Sequence, residues 1–158
     1  MPKAQPVHLV ACVSQKAPHR ARARDLYCSD WFKKARAYVT AQGGRWFILS
    51  AQYGLVTPTQ HIEPYDLTLG DLTAAERRSW GAGVAGQLAV AIGARTPVVF
   101  LAGRHYRDPL SNWAGKRATV PMAGLGIGEQ KAWLAGEVAK IREREAMAAQ
   151  LDLFIDLP

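Results

Sequence analysis

The stretch Val7-His8-Leu9-Val10-Ala11-Cys12-Val13 decides the fold. It is short, apolar and rich in β-branched residues, so it reads as a buried strand. A polar, basic loop follows over Ser14–Arg24. A helix is then expected from an N-cap at Asp30 to about Gln42, with Trp31, Phe32, Ala35 and Tyr38 at i, i+1, i+4 and i+7. Gly43-Gly44 ends it, and Trp46–Ser50 (WFILS) is a second buried strand. Ala51–Gly70 reads as one long Pro- and Gly-containing loop, too polar and irregular for the core. Leu72-Thr73 opens a long helix reaching about Ile92, with Thr73 as cap and Glu76 at the capping-box position. Pro97–Leu101 is a third strand and Ala118–Val120 a short fourth. Gly128 starts a last helix that runs through Glu137–Gln150.

Strands alternating with helices imply crossover connections and a parallel sheet covered on both faces. The expected fold is therefore α/β, three-layered, around a mostly parallel four-stranded sheet. In such sheets ligands bind outside the carboxyl ends of the strands. Four loops leave those ends: Cys12–Lys16, Ser50–Leu69, Ala102–Pro109 and Pro121–Gln130. They are expected to converge on one crevice.

A chain of 158 residues is close to the usual size of one domain. Residues 1–148 are expected to form it, leaving 149–158 as a tail. No apolar run nears the roughly 20 residues that span a bilayer, and the N-terminus lacks the apolar core of a signal peptide. Cys12 and Cys28 have no CxxC spacing, which suggests free thiols in a reducing compartment, although one bridge stays open. The expectation is a cytoplasmic, monomeric protein with no membrane contact. The net charge of +7 is unevenly spread: residues 1–46 hold nine Lys/Arg against Asp25 and Asp30, and residues 47–70 hold none. A basic patch attracts phosphates regardless of sequence, while a merely solvated helix surface is the plain alternative.

The loop after the second strand carries Ser50, Tyr53 and Gly54, then Pro64-Tyr65-Asp66. Gly54 suggests a positive φ or the close approach of a ligand. Pro64 would hold Tyr65 and Asp66 rigidly, a ring to stack on a flipped base and a charge near its sugar. The alternative is an ordered loop in which Asp66 caps a turn and Tyr65 packs inward. In the first loop Cys12, Ser14 and Lys16 alternate, although Cys12 fits a small core residue better than a nucleophile. Lys16 and Arg20 read as phosphate contacts. Arg104-His105-Tyr106-Arg107 interleaves basic and aromatic groups, as expected where bases stack and phosphates are neutralised. Gly124-Leu125-Gly126-Ile127-Gly128-Glu129 enters a helix as a phosphate cradle, with neither Walker nor dinucleotide spacing. The four histidines are scattered, so neither a metal nor any other cofactor is expected.

At the other end, Gln150-Leu151-Asp152-Leu153-Phe154 resembles the docking peptide for the bacterial sliding clamp, Gln-Leu-Ser/Asp-Leu-Phe. Leu153 and Phe154 would fill an apolar groove while Gln150 hydrogen-bonds. The alternative is a tail folded back on its own core. The chain also resembles an uncharacterised family related to the YaaA peroxide-stress proteins. The matching pieces are Val10–Lys16, Asp25–Ser29, Leu49–Leu55, Pro64–Leu69 and Gly124–Gln130. That family is similar in architecture to the uracil-DNA glycosylase class, and the resemblance implies nucleobase handling. The chain lacks the water-activating Gly-Gln-Asp-Pro-Tyr and closing His-Pro-Ser motifs of uracil glycosylases, so uracil is not the expected base.

Together these features point to a DNA N-glycosylase for a modified or damaged base, recruited to the clamp. Asp66 is the first candidate for the catalytic carboxylate and Asp25 the second. Tyr53 and Tyr65 would wall the base, Ser14, Ser50 or Glu129 would bond its edge, and Lys16, Arg20, Arg104 and Arg107 would hold phosphates. A non-catalytic DNA-binding stress protein and a base-exchanging or base-modifying transferase on DNA or RNA are the alternatives.

Overall fold

The computed structural model describes residues 5–155 and residue 157. Residues 1–4, counted above in the basic segment and the leader reading, and Asp156 and Pro158 of the tail lie outside the described residues. The VHLVA run forms β1 (Val7–Ala11), the middle strand of a five-stranded sheet. Its order is β4 (Gly54–Val56), β3 (Trp46–Ser50), β1, β6 (Val98–Leu101), β7 (Ala118–Thr119). The last four are parallel, and β4 returns antiparallel against β3.

The register explains why the sheet is buried on both faces. Val10 stands beside Ile48 and Leu101, and all three face α2 (Asp30–Gln42) and α6 (Ile127–Ile155), meeting Phe32, Val39, Leu134 and Val138. Leu9 stands beside Phe47 and Phe100 on the other face, against Val84 and Leu88 of α3 (Ala74–Ala91). Burying an aliphatic side chain of this size stabilises by roughly 1.5–3 kcal/mol, so the two layers lock the strand order.

The helix starts follow from capping chemistry. Thr73 and Glu76 form the reciprocal capping box expected for α3. α2 is capped one residue earlier than expected: the Ser29 hydroxyl accepts from the Phe32 amide at 3.0 Å. Asp30 instead pairs with Lys34 at 2.9 Å and with Lys131 of α6 at 3.4 Å. Gly81 is what lets α3 approach the 3₁₀ turn Asp108–Leu110, since a Cβ there would lie 2.5 Å from the Pro109 carbonyl oxygen.

The Ser14–Arg24 and Ala51–Gly70 segments are more ordered than their composition implied. β2 (Ala21–Arg22), leading into the short α1 (Ala23–Leu26), pairs antiparallel with β5 (His61–Ile62). Val56, Ile62 and Leu69 are buried core residues, and Leu69–Asp71 is a 3₁₀ turn. The expected four-stranded sheet thus gains β4, and β1 ends at Ala11 rather than Val13. Between β6 and β7 lie the short α4 (Arg104–Arg107) and α5 (Ser111–Ala114).

α6 runs 29 residues and its last buried side chain is Ile141. Gln150–Phe154 therefore belongs to the helix rather than following it, and it does not fold back: Leu153 is 71% and Phe154 73% exposed. Among the described residues no helix is long and apolar enough to cross a membrane.

Candidate functional site

From β1 the chain moves first to β3 on one side and later to β6 and β7 on the other. The strand order reverses between β1 and β6, and the loops leaving their carboxyl ends part there to open a crevice. A cleft of about 540 Å³ occupies that point, within the size range of small-ligand sites. Ala11, Phe100, Val120 and Met122 give it apolar surface, Ser14, Gln15, Ser29 and Gln130 give polar groups, and Arg104, His105 and Arg107 line it from α4.

Trp31, Phe100 and Tyr106 are its large aromatic residues, and of these Trp31 and Tyr106 carry a polar atom. The Trp31 indole donates to Gln130 Oε1 at 2.8 Å, and Gln130 Nε2 donates to the Leu125 carbonyl at 2.9 Å. An indole N–H can only donate, so this pair also fixes which end of the amide is oxygen. The Tyr106 hydroxyl lies 3.2 Å from Cys12 Sγ and 3.4 Å from the Leu69 amide. Burial pushes the Tyr106 phenol well above its ordinary range, so it stays protonated.

The Ser50–Leu69 loop, expected as a wall of the crevice, does not line it. Its polar groups are used internally. Ser50 is fully buried; its hydroxyl donates to Tyr65 at 2.7 Å and accepts from the Tyr53 amide at 3.0 Å. The Tyr65 hydroxyl also meets Tyr27 at 2.6 Å, and burial raises both phenols. Ser50 is thus spent on the fold and unavailable to a base edge. Gly54 adopts φ +74° in the β3–β4 hairpin, and the group approaching it is the Gln87 side chain, 2.8 Å from where a Cβ would stand. Tyr53 donates to the Glu63 carbonyl, and Pro64 and Asp66 also lie outside the cleft.

Lys16 sits beside this loop, its Nζ 4.3 Å from the Tyr65 ring centre and 5.8 Å from that of Tyr27. Burial lowers its pKa, while the neighbouring Cys12 and Asp66 oppose that shift. Neither Lys16 nor Arg20 lines the cleft. Asp25 is turned to Arg36 at 3.2 Å on the surface and also lies outside it. Of the fourth loop, Gly124, Leu125, Ile127 and Gln130 line the cleft, whereas Gly126, Gly128 and Glu129 do not; Glu129 Oε1 accepts from the Gly126 amide at 3.3 Å. Cys12, Ser14, Arg104, His105, Tyr106 and Arg107 are the expected residues that the fold does bring together.

Sequence reasoning passed over Gln15, Ser29, Trp31 and Gln130. A usable signal existed for the last two, because the first turn of a helix that follows a parallel strand or opens beside one sits at the carboxyl edge. Among the described residues no group of three or more His, Cys, Asp or Glu is placed to hold a metal ion.

Fold and cleft together define an α/β protein with a preformed site at the switch point of its sheet. The chain belongs to the DUF6884 family, a family of unknown function, whose model matches residues 7–136. That match takes in all strands and all residues lining the cleft and ends before Gln150. No curated protein compared with the chain matches it.

Proposed function

We propose that the protein is a DNA N-glycosylase that receives an unstacked, modified or damaged base in the β1–β6 cleft, the kind of activity that the sequence resemblance to the YaaA-related family implies. The observation that carries this reading is the lining itself: aromatic Trp31 and Tyr106, a locked Gln130 amide, and two arginines that form no ion pair among the described residues. Aromatic faces suit a stacked base, amide and hydroxyl groups suit its edge, and unpaired cations suit the phosphates beside it. Trp31 and Tyr106 flank the base, replacing Tyr53 and Tyr65 in that role. Ser14, Gln15 and Gln130 bond its edge, while Arg104 and Arg107 take phosphate. Cleavage passes through a cation-like sugar, which a carboxylate stabilises. Asp66 remains the candidate for that role, although it lies outside the cleft, close enough to Lys16 to act on its charge.

The absence of Asp and Glu from the lining favours a second reading, in which the same cleft binds a base without cutting its bond. One experiment separates the two. Duplexes carrying a panel of modified bases are incubated with the protein and treated with alkali. Strand scission at one base, lost in Asp66→Asn, supports the glycosylase. Retained binding with no scission at any base supports the non-catalytic reading.

The tail extends the proposal to a partner. Gln150–Phe154 serves as a sliding-clamp docking peptide, and it must unwind from α6 to lie extended in a groove. A helix end with no tertiary packing is marginal on its own, so unwinding it costs little.

A further inference from the structure

We propose that Arg107 is the anion anchor of the cleft and that its ligand is the phosphate of a nucleotide bound whole, base and phosphate together. This inference rests on the base-cleft reading and deepens it, by moving the phosphate from the outer surface to the inside of the site. Three observations carry it. Arg107 lines the 540 Å³ cleft and also a neighbouring cavity of about 240 Å³, so that it forms, with Phe100 and Val120, the partition between them. Its Nε–H is buried and has no hydrogen-bond partner among the described residues. No carboxylate lies within ion-pair distance of its guanidinium among those residues, even though Asp108 is next in sequence.

An unsatisfied donor on a charged group is costly to bury, so such groups are normally paired. Arg24 and Arg36 follow that rule through Asp25, and Arg117 spends its guanidinium on the Gly93, Trp113 and Ala114 carbonyls. Arg107 is the contrast. The Nε edge is closed in this conformation, so the side chain must turn to present it; a guanidinium so presented offers two parallel N–H donors, which match two oxygens of a phosphate. The cleft around it supplies positive charge from Arg104 and none of the opposite sign, so the local field favours an anion. The apolar surface of Phe100, Val120 and Met122 suits a flat ring rather than a second charge.

The test is calorimetric titration of the full chain with a nucleoside, its 5′-monophosphate, inorganic phosphate, and single-stranded oligonucleotides with and without a 5′-phosphate. The monophosphate is expected to bind roughly ten- to hundredfold more tightly than the nucleoside, the range of charge-assisted hydrogen bonds. Arg107→Met should erase that difference, and Arg107→Lys should restore only part of it, because an ammonium lacks the paired donors. The exposed helix variant Arg142→Met should bind as the parent does, and equal thermal melting of all variants confirms folding. Tighter binding by the free monophosphate than by either oligonucleotide identifies a free nucleotide; preference for the 5′-phosphorylated strand identifies a polymer end. Equal affinity for nucleoside and monophosphate, or an undiminished preference in Arg107→Met, overturns the anchor. Base excision without any phosphate preference would sink the anchor and leave the glycosylase standing; phosphate preference without excision would do the reverse.

Discussion

The Ser50 hydroxyl donates to the Tyr65 hydroxyl at 2.7 Å, and that same Tyr65 oxygen lies 2.6 Å from Tyr27. Three residues far apart in sequence are thereby joined beneath the long loop, and the loop that looked most reactive is held as framework. Tyr65→Phe would remove the acceptor of the Ser50 hydroxyl, which keeps only the Tyr53 amide, and the partner of Tyr27, whereas Tyr27→Phe would leave Tyr65 still bonded to Ser50. Tyr65→Phe should cost about 2–3 kcal/mol in urea unfolding and Tyr27→Phe about 1 kcal/mol. Equal losses would show that the three groups do not form a chain.

His8 gives the protein an acid-sensitive strand. It is buried in β1, edge-on to Tyr38 at 5.5 Å, and its Nδ1 has no partner among the described residues. Desolvation lowers its pKa from 6.5 to about 4. The unfolded chain therefore takes up this proton first as pH falls, so stability is full above pH 6.5 and drains away toward pH 4. Between pH 8 and pH 5 the loss from this group is about 2 kcal/mol by linkage. His8→Leu should flatten that slope in urea titrations at the two pH values. An unchanged slope would place the proton uptake elsewhere.

The two glycines at close approaches should respond differently. Gly81→Ala drives a Cβ into the Pro109 backbone and should cost more than 2 kcal/mol, in the range of overpacked sites. Gly54→Ala meets a movable Gln87 side chain but keeps φ at +74°, so about 1–2 kcal/mol is expected. Thermal melts of both variants, and of Gly54→Ala with Gln87→Ala, check this. The double variant should recover the contact and not the backbone strain.

Much of the frame was legible because its signals are local. The WFILS and VHLVA runs are apolar at all positions but Ser50 and His8, as strands covered on both faces nearly must be, and the Thr73–Glu76 spacing announces a helix start by itself. The hairpin strand Gly54–Val56 escaped notice because three residues opened by a glycine carry no periodicity. Ser29 lost the cap to Asp30 on paper because both side chains can cap and only backbone geometry chooses. The site was half legible. Residues directly after β1 and β6 fell into the cleft, since strand ends place them there. Ser50 and Tyr65 did not, because their hydroxyls found each other, a long-range pairing that no spacing reveals. Trp31 and Gln130 meet across 99 residues for the same reason.

The tail makes a separable prediction. Leu153→Ala with Phe154→Ala should abolish retention on immobilised sliding clamp, and activity on short oligonucleotides should stay unchanged. Both side chains are solvent-exposed, so stability should move by less than about 0.5 kcal/mol. Undiminished retention would remove the clamp as a partner.

Trp31 offers the most direct view of where nucleic acid binds, because its indole N–H is held by Gln130 inside the cleft. Amide and indole shifts of ¹⁵N-labelled protein can be followed as an oligonucleotide carrying an unpaired modified base is added. The cleft account predicts that the Trp31 indole and the amides of Cys12–Gln15, Gly103–Arg107 and Gly124–Gln130 move together, while the Trp113 indole, stacked on Arg117 outside the cleft, stays still. Shifts confined to the Ser50–Leu69 loop or to the outer face of α2, with Trp31 unmoved, would contradict it.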